Sequence, residues 1–425
     1  MKRVSFPVIF ILLAFNAQIQ AYDTDPGDYG SITDFLNGIY GIDDNAGLTA
    51  FPILNIPVGG MAEGMAGAYS AVAGDISFMD WNPAGSALLP RMELAFFHNN
   101  WIADTKIEAA SFAGRFKNMG FGVNGKWLYT PFTQYSYFGD RMSKGYYSEA
   151  VAVLNASYNF FPGYYFAGLS LGLNLKGAFR MVPDYALNST GEFVSGSGES
   201  QSAASVMGDI GLLTRINFLK FYVSREKNMS FALVLRNLGT PAIDDPLPTV
   251  AVAGISYKPL RPFLISFDFS LPMNVQNIEL SEKPYWSLGF SLSVAKFLSM
   301  RGGLLMKAGN IRAAIGSAVN LDHFAVDVNY TLDLLTQIQP MNRVAIGVRF
   351  DLGDSGRSNN SSRVDNLYLQ GLDAYSRGDD DEARRFFDEA LALDPNFDPA
   401  KEGIQAINNY DALLKRINDM QRITY

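Results

Sequence analysis

The chain has 425 residues, a formal net charge of −8, 18% charged and 13% aromatic residues, 39 glycines and no cysteine. Without cysteine there is no disulfide scaffold, lipid-anchored cysteine, thiolate metal site or thiol nucleophile. The charged fraction falls below the ~25% of ordinary soluble domains, and the net negative balance argues against nucleic acid as a partner.

Lys2 and Arg3 precede an apolar run over 8–15 that ends near Ala21. This reads as a cleavable secretory signal over 1–21, so the mature chain is expected outside the cytoplasm. Beyond it no stretch reaches the ~18 to 20 apolar residues of a spanning helix, so any entry into a membrane is by strands.

Residues 22–90 form an extension with nine acidic and no basic residues. Within it the stretch 57–89 is dense in Gly, Ala and Ser, carries Glu63, Asp75 and Asp80, and ends in Trp81-Asn82-Pro83-Ala84-Gly85. Small residues let backbone pack on backbone, and Asn-Pro before Gly is turn chemistry, which predicts a compact, loop-rich plug. The alternative is a small-residue helix with Gly60, Gly64 and Gly67 on one face, although three glycines weaken any helix exposed to water. The tail from 361 onward carries eight basic and thirteen acidic residues, so the middle of the chain holds a net +4, suited to a basic lumen around an acidic plug.

From residue 93 to 352 alternation replaces the helical period. Trp286, Leu288, Phe290, Leu292 and Val294 alternate with Ser287, Gly289, Ser291, Ser293 and Ala295. Fourteen such runs are predicted, at 93–98, 107–117, 119–129, 148–161, 165–181, 203–216, 228–238, 249–258, 263–271, 285–295, 297–306, 310–319, 322–332 and 342–352. An even number of strands of about 9 to 11 residues, joined by alternately long and short links, predicts an antiparallel all-β transmembrane barrel over 91–352 with both ends on the periplasmic side. A soluble sandwich or propeller also alternates, but its outer face would be charged rather than Ser-, Gly- and Ala-rich.

The Gly-rich run with Asn82-Pro83-Ala84-Gly85, followed by Glu93-Leu-Ala-Phe-Phe-His98, resembles the N-terminal hatch and first strand of FadL-type outer-membrane transporters for long-chain fatty acids, and above all the FadL-like proteins of spirochaetes. The resemblance covers about 48–352 and implies an outer-membrane location in contact with lipid, with a hatch in the lumen. A long-chain fatty acid or similar hydrophobic molecule would be taken up and released sideways. Gly60, Met61, Gly64 and Met65 would line the route, and Asn82, Pro83, Ala84 and Gly85 would hold the hatch's exit. Gly347-Val-Arg-Phe350-Asp-Leu352 is similar to the terminal signal of barrel proteins, but here it is internal. In some bacteria such barrels serve secretion, so protein secretion or envelope assembly stands as the alternative.

By strand parity Arg236, Arg312, Arg343 and Arg349 point into the lumen. They either neutralise Glu63, Asp75 and Asp80 or hold a carboxylate of the cargo. His98 and His323 have neither metal-ligand spacing nor a Gly-x-Ser-x-Gly partner, so no enzyme, metal or cofactor is expected.

Residues 353–362, rich in Gly, Ser and Asn, read as a flexible linker to a periplasmic helical domain over 363–425. There Leu367, Gly371, Ala374, Gly378, Ala383, Phe387, Ala390 and Pro395 stand at the spacings of a tetratricopeptide repeat. A periplasmic protein or peptide is expected beside Leu367, Tyr375 and Phe386. The competing role is a plain hairpin that steadies the barrel.

Overall fold

A computed structural model of the protein describes residue 41 and residues 43–423 apart from 136–137, 183–184, 188–192, 196–200, 223, 309 and 335–341. The expected signal at 1–21 and the extension up to residue 40 lie outside the described residues.

All fourteen predicted runs form strands, and a small separate hairpin lies in the link between the fifth and sixth of them. The strands are β1 (Glu93–Asn100), β2 (Lys106–Phe116), β3 (Met119–Tyr135), β4 (Arg141–Phe160) and β5 (Leu169–Met181), then the hairpin β6 (Tyr185–Leu187) and β7 (Phe193–Ser195). There follow β8 (Ala203–Ile216), β9 (Met229–Gly239), β10 (Thr249–Leu260), β11 (Phe263–Met273), β12 (Tyr285–Ala295), β13 (Leu298–Met306), β14 (Arg312–Asn320), β15 (Phe324–Asp333) and β16 (Arg343–Asp351). Each barrel strand pairs antiparallel with its neighbours, and β1 pairs with β16 from Glu93↔Asp351 to Asn100↔Val344, which closes the barrel. The link expected at 130–147 is largely ladder, because β3 and β4 stay paired as far as Tyr135↔Arg141.

The pleat is inverted relative to a soluble protein. Along β5, Leu171, Leu173 and Leu175 are 36%, 51% and 57% exposed, while Gly172, Asn174 and Lys176 between them are buried. Phe267, Phe269, Leu288, Phe290, Ile346 and Phe350 continue the exposed apolar face round the wall. Polar side chains inside and apolar ones outside make sense when the outer solvent is hydrocarbon, so this is the surface of a membrane-spanning barrel.

Residues 60–86 lie in the interior. Ser70, Met79, Asn82, Pro83 and Ser86 bond or abut residues of β3, β4, β5, β8, β10 and β11, and Gly60 bonds Asn329 of β15. A segment touched from strands right round a closed wall lies inside it. It is loop-rich as expected: one helical turn, α1 (Gly60–Gly64), then short 3-10 turns at Ile76–Asp80 and Pro83–Leu88. Inward glycines make room for it. A Cβ on Gly172 would overlap the backbone of Pro83 and Ala84, one on Gly120 that of Ser86 and Ala87, and one on Gly303 that of Met65.

Both barrel ends lie at one rim, where the Met92 amide donates to the Gly353 carbonyl and the Leu352 amide donates to the Met92 carbonyl. The tail starts there as α2 (Arg357–Ser376), α3 (Asp380–Leu393) and α4 (Asp398–Ile423). The linker expected at 353–362 is therefore shorter than its composition suggested. Asp354 accepts from the amides of Ser358 and Gly356, which holds its carboxyl below the ordinary value and starts the helix. Arg357 donates to the carbonyls of Leu89, Pro90 and Arg115, tying the first turn to the barrel rim. Phe387 fills the hairpin core against Gly371 and Gly403, and Gly378 takes the turn with φ 79.

Candidate functional site

The inner segment is held by buried charge. Glu63 accepts from Arg343 Nε at 2.7 Å, and Asp75 lies 3.5 Å from Arg349 while accepting from the Met61 and Ser77 amides and the Tyr69 hydroxyl. Arg349 also reaches Asp327 at 2.6 Å and Glu93 at 3.6 Å, and Asp327 takes Arg301 at 2.6 Å on its other side. On the far wall Asp268 accepts from the Tyr69 and Ser70 amides and the Ser70 hydroxyl.

Asp80 is matched differently from expectation. Its carboxylate pairs with Lys126 at 3.0 Å, whereas Arg236 donates to the Asp80 backbone carbonyl at 3.0 Å and lies over the Trp81 ring at 4.8 Å. Lys126, Lys176, Asp209, Arg301, Asp327 and Asp268 were not singled out in the sequence. Parity offered the signal: Lys126 alternates with outward Val123, Gly125 and Trp127 and so faces in, as its burial shows.

Asn82 is fully buried. Its side chain accepts from the Ala84 amide and donates to the carbonyls of Ser70 and Leu212, while Pro83 offers its own carbonyl to Asn155. Gly85 sits against Phe78, Gly64 against Asn329 and Arg301, and Met65 against Gly289 and Gly303. Met61 is half-buried on the same segment.

A cavity of about 120 Å³ opens between the segment and the wall. Leu54, Ile56, Trp81, Tyr285 and Leu305 give it apolar surface, and Arg236, Lys307, Arg312 and Arg343 give it positive charge. Arg312 thus joins Arg343 and Arg236 at one cavity, while Arg349 belongs to the carboxylate cluster below.

His98 faces outward and shares a 2.8 Å contact with Glu108 of the next strand, and His323 meets the Asp351 amide through its backbone carbonyl. Neither contact builds a nucleophile. In the tail, Leu367 and Phe386 pack on the hairpin's own core, and Tyr375 is 38% exposed. That core also receives Tyr164 from the barrel link between β4 and β5, its ring 5.3 Å from Phe397. Arg225, from the next link at this rim, stacks on Phe397 at 4.4 Å, pairs with Asp365 at 3.0 Å and bonds Ser361.

Residues 41–355 match the model of an uncharacterised protein family, UPF0164, and residues 364–397 match the tetratricopeptide repeat. A UPF0164 protein of Treponema pallidum (strain Nichols) is 29% identical over 98% of this chain and 94% of its own length, and another from the same organism is 26% identical over 86% and 77%. Among solved structures, the toluene transporter TodX of Pseudomonas putida is 12% identical with a TM-score of 0.46, covering 69% of this chain and 97% of that one. The KdgM porin follows with a TM-score of 0.31.

Proposed function

We propose that this chain, which belongs to the uncharacterised protein family UPF0164, passes long-chain fatty acids or similar hydrophobic molecules across the outer membrane, with residues 57–89 as a movable hatch and the helical tail in the periplasm. The observation that carries this reading is the filled lumen. A wall with a lipid-facing exterior encloses a segment seated on glycines, hydrogen bonds and buried ion pairs, with no β-ladder to the strands, which suits a stopper that shifts as a unit once those pairs are broken. The cavity beside it joins apolar and cationic surface, as an amphiphile requires.

Long-chain cargo gains about 0.8 kcal/mol for each CH₂ kept from water, so it favours an apolar route beside the hatch over a wet pore. Asn82→Ala with Pro83→Ala removes three hydrogen bonds of the Asn82 side chain, two of them buried and each worth ~1 kcal/mol, from the hatch's exit. In a host lacking its own transporter, wild type should confer uptake of labelled oleate, and the double variant should assemble yet take up less. Wild type that moves neither oleate nor hexadecane sinks the reading.

The second reading, envelope assembly or secretion through the tail, draws on the docked hairpin, since Tyr164 and Arg225 join the repeat to the barrel rim. It gains if uptake is absent and removal of 357–425 strips off a co-purifying protein. Orientation has its own check. In intact cells a tag after Gln276, in the exposed link between β11 and β12, should bind antibody, whereas one at the C-terminus should not. Labelling of the C-terminal tag would reverse the topology.

A further inference from the structure

We propose that Arg236, Arg312 and Arg343 form an oxyanion site, taking a carboxylate or phosphate group in the cavity between the inner segment and the wall. The inference rests on the transport reading for its biological use, but not for its chemistry. Arg343 is 3% exposed and Arg236 8% exposed. Among the described residues, Arg343 Nη1, Arg236 Nε and Arg312 Nε are buried donors without a hydrogen-bond partner, and all three side chains line this one cavity.

Charge points the same way. Of the cavity's two carboxylates, Asp80 is paired with Lys126, and Glu63 is paired with Arg343 through Oε1 while its Oε2 is without a partner among the described residues, so one acceptor oxygen faces three unused arginine donors. Its fourth cation, Lys307, is matched at 2.5 Å by Glu282. Arg236 spends one donor on a neutral carbonyl, and Arg312 has Arg343, Asp333 and Glu63 as its charged neighbours. Buried guanidinium groups that share a space and keep unused donors are costly until an anion supplies acceptors, and forked donors match the two oxygens of a carboxylate or phosphate.

Size narrows the ligand. The cavity, of about 120 Å³, has room for an anionic group and the first carbons attached to it. Leu54, Ile56 and Leu305 then mark where the first carbons of an amphiphile would lie. A free inorganic anion would leave that apolar surface uncovered.

The test measures equilibrium binding of acetate, octanoate and inorganic phosphate to the purified full-length protein in detergent. The variants are Arg312→Gln, which breaks no ion pair recorded among the described residues, and Arg236→Gln as a second probe. Wild type should bind at least one of the three, and each variant should weaken that binding by at least tenfold. Octanoate bound more tightly than acetate assigns the site to an amphiphile's head, and phosphate bound alone assigns it to a free anion. Absence of binding to wild type, or binding that both variants leave unchanged, overturns the site. Hexadecane uptake, measured in parallel, carries no oxyanion, so a protein that moves it while binding no anion keeps the transport reading and loses this one.

Discussion

Asp327→Ala should leave most of the protein unable to assemble a stable barrel. Asp327 is fully buried and is shared by Arg301 and Arg349, both at 2.6 Å, and Arg349 in turn reaches Asp75 of the inner segment and Glu93 of β1. Removing one member of a buried charge set leaves the others without compensation, at about 3–5 kcal/mol. Two cations depend on this carboxylate, so the upper end applies. That is a large share of the ~5–15 kcal/mol by which folded proteins exceed their unfolded states. Asp327→Asn keeps acceptor geometry for one arginine without the charge and should fall between. The folded fraction can be read from the mobility of unheated protein on gels and from urea unfolding in micelles. An alanine variant that unfolds at the wild-type urea concentration would show that the cluster does not hold the inner segment to the wall.

The strands were legible because lipid imposes the same period of two that water does, only with the faces exchanged. Leu171, Leu173 and Leu175 against Gly172, Asn174 and Lys176 read as a strand from the sequence alone, and closure followed from an even count with links in phase. The continuation of β3 and β4 was not legible. Residues such as Thr133, Lys144 and Tyr146 carry no clean apolar face there, and the hairpin is held by its own ladder.

The start of α2 was hidden for a different reason. Ser, Asn and Gly read as linker by composition, while the helix depends on Asp354 and on Arg357 finding carbonyls of residues far away in sequence. Parity could place arginines inside the barrel, but it could not say which acid each would meet. Glu63 and Arg343 are 280 positions apart, and only the closed wall brings β16 against α1. The convergence of Arg236, Arg312 and Arg343 on one cavity is likewise a property of three strands and a segment folded together.

Gly172→Val should unseat the inner segment while leaving the wall intact. Gly172 lies on the inward face of β5, and any side chain there would run into the backbone of Pro83 and Ala84, which cannot swing aside as a flexible side chain could. Those residues are also fastened by Asn155 to the Pro83 carbonyl and by Asn82 to the Ala84 amide, so the conflict is passed to the whole exit turn. Overpacking of this kind costs about 1–3 kcal/mol, and at ~1.4 kcal/mol per tenfold it shifts the ratio of seated to unseated segment by roughly 5- to 150-fold. The β-ladder of Gly172 with Ser157 and Gly211 involves only backbone and survives the change. Gly177→Ala on the same strand is the control, since its added carbon would meet nothing nearer than the Phe179 ring at 3.6 Å. In planar bilayers the valine variant should open ion-conducting events that wild type and the alanine control rarely show, and cells carrying it should become sensitive to large antibiotics. Silent bilayers with a normally folded valine variant would mean that the segment yields locally without leaving its seat, and any opening of the lumen would have to come from movement at α1 instead.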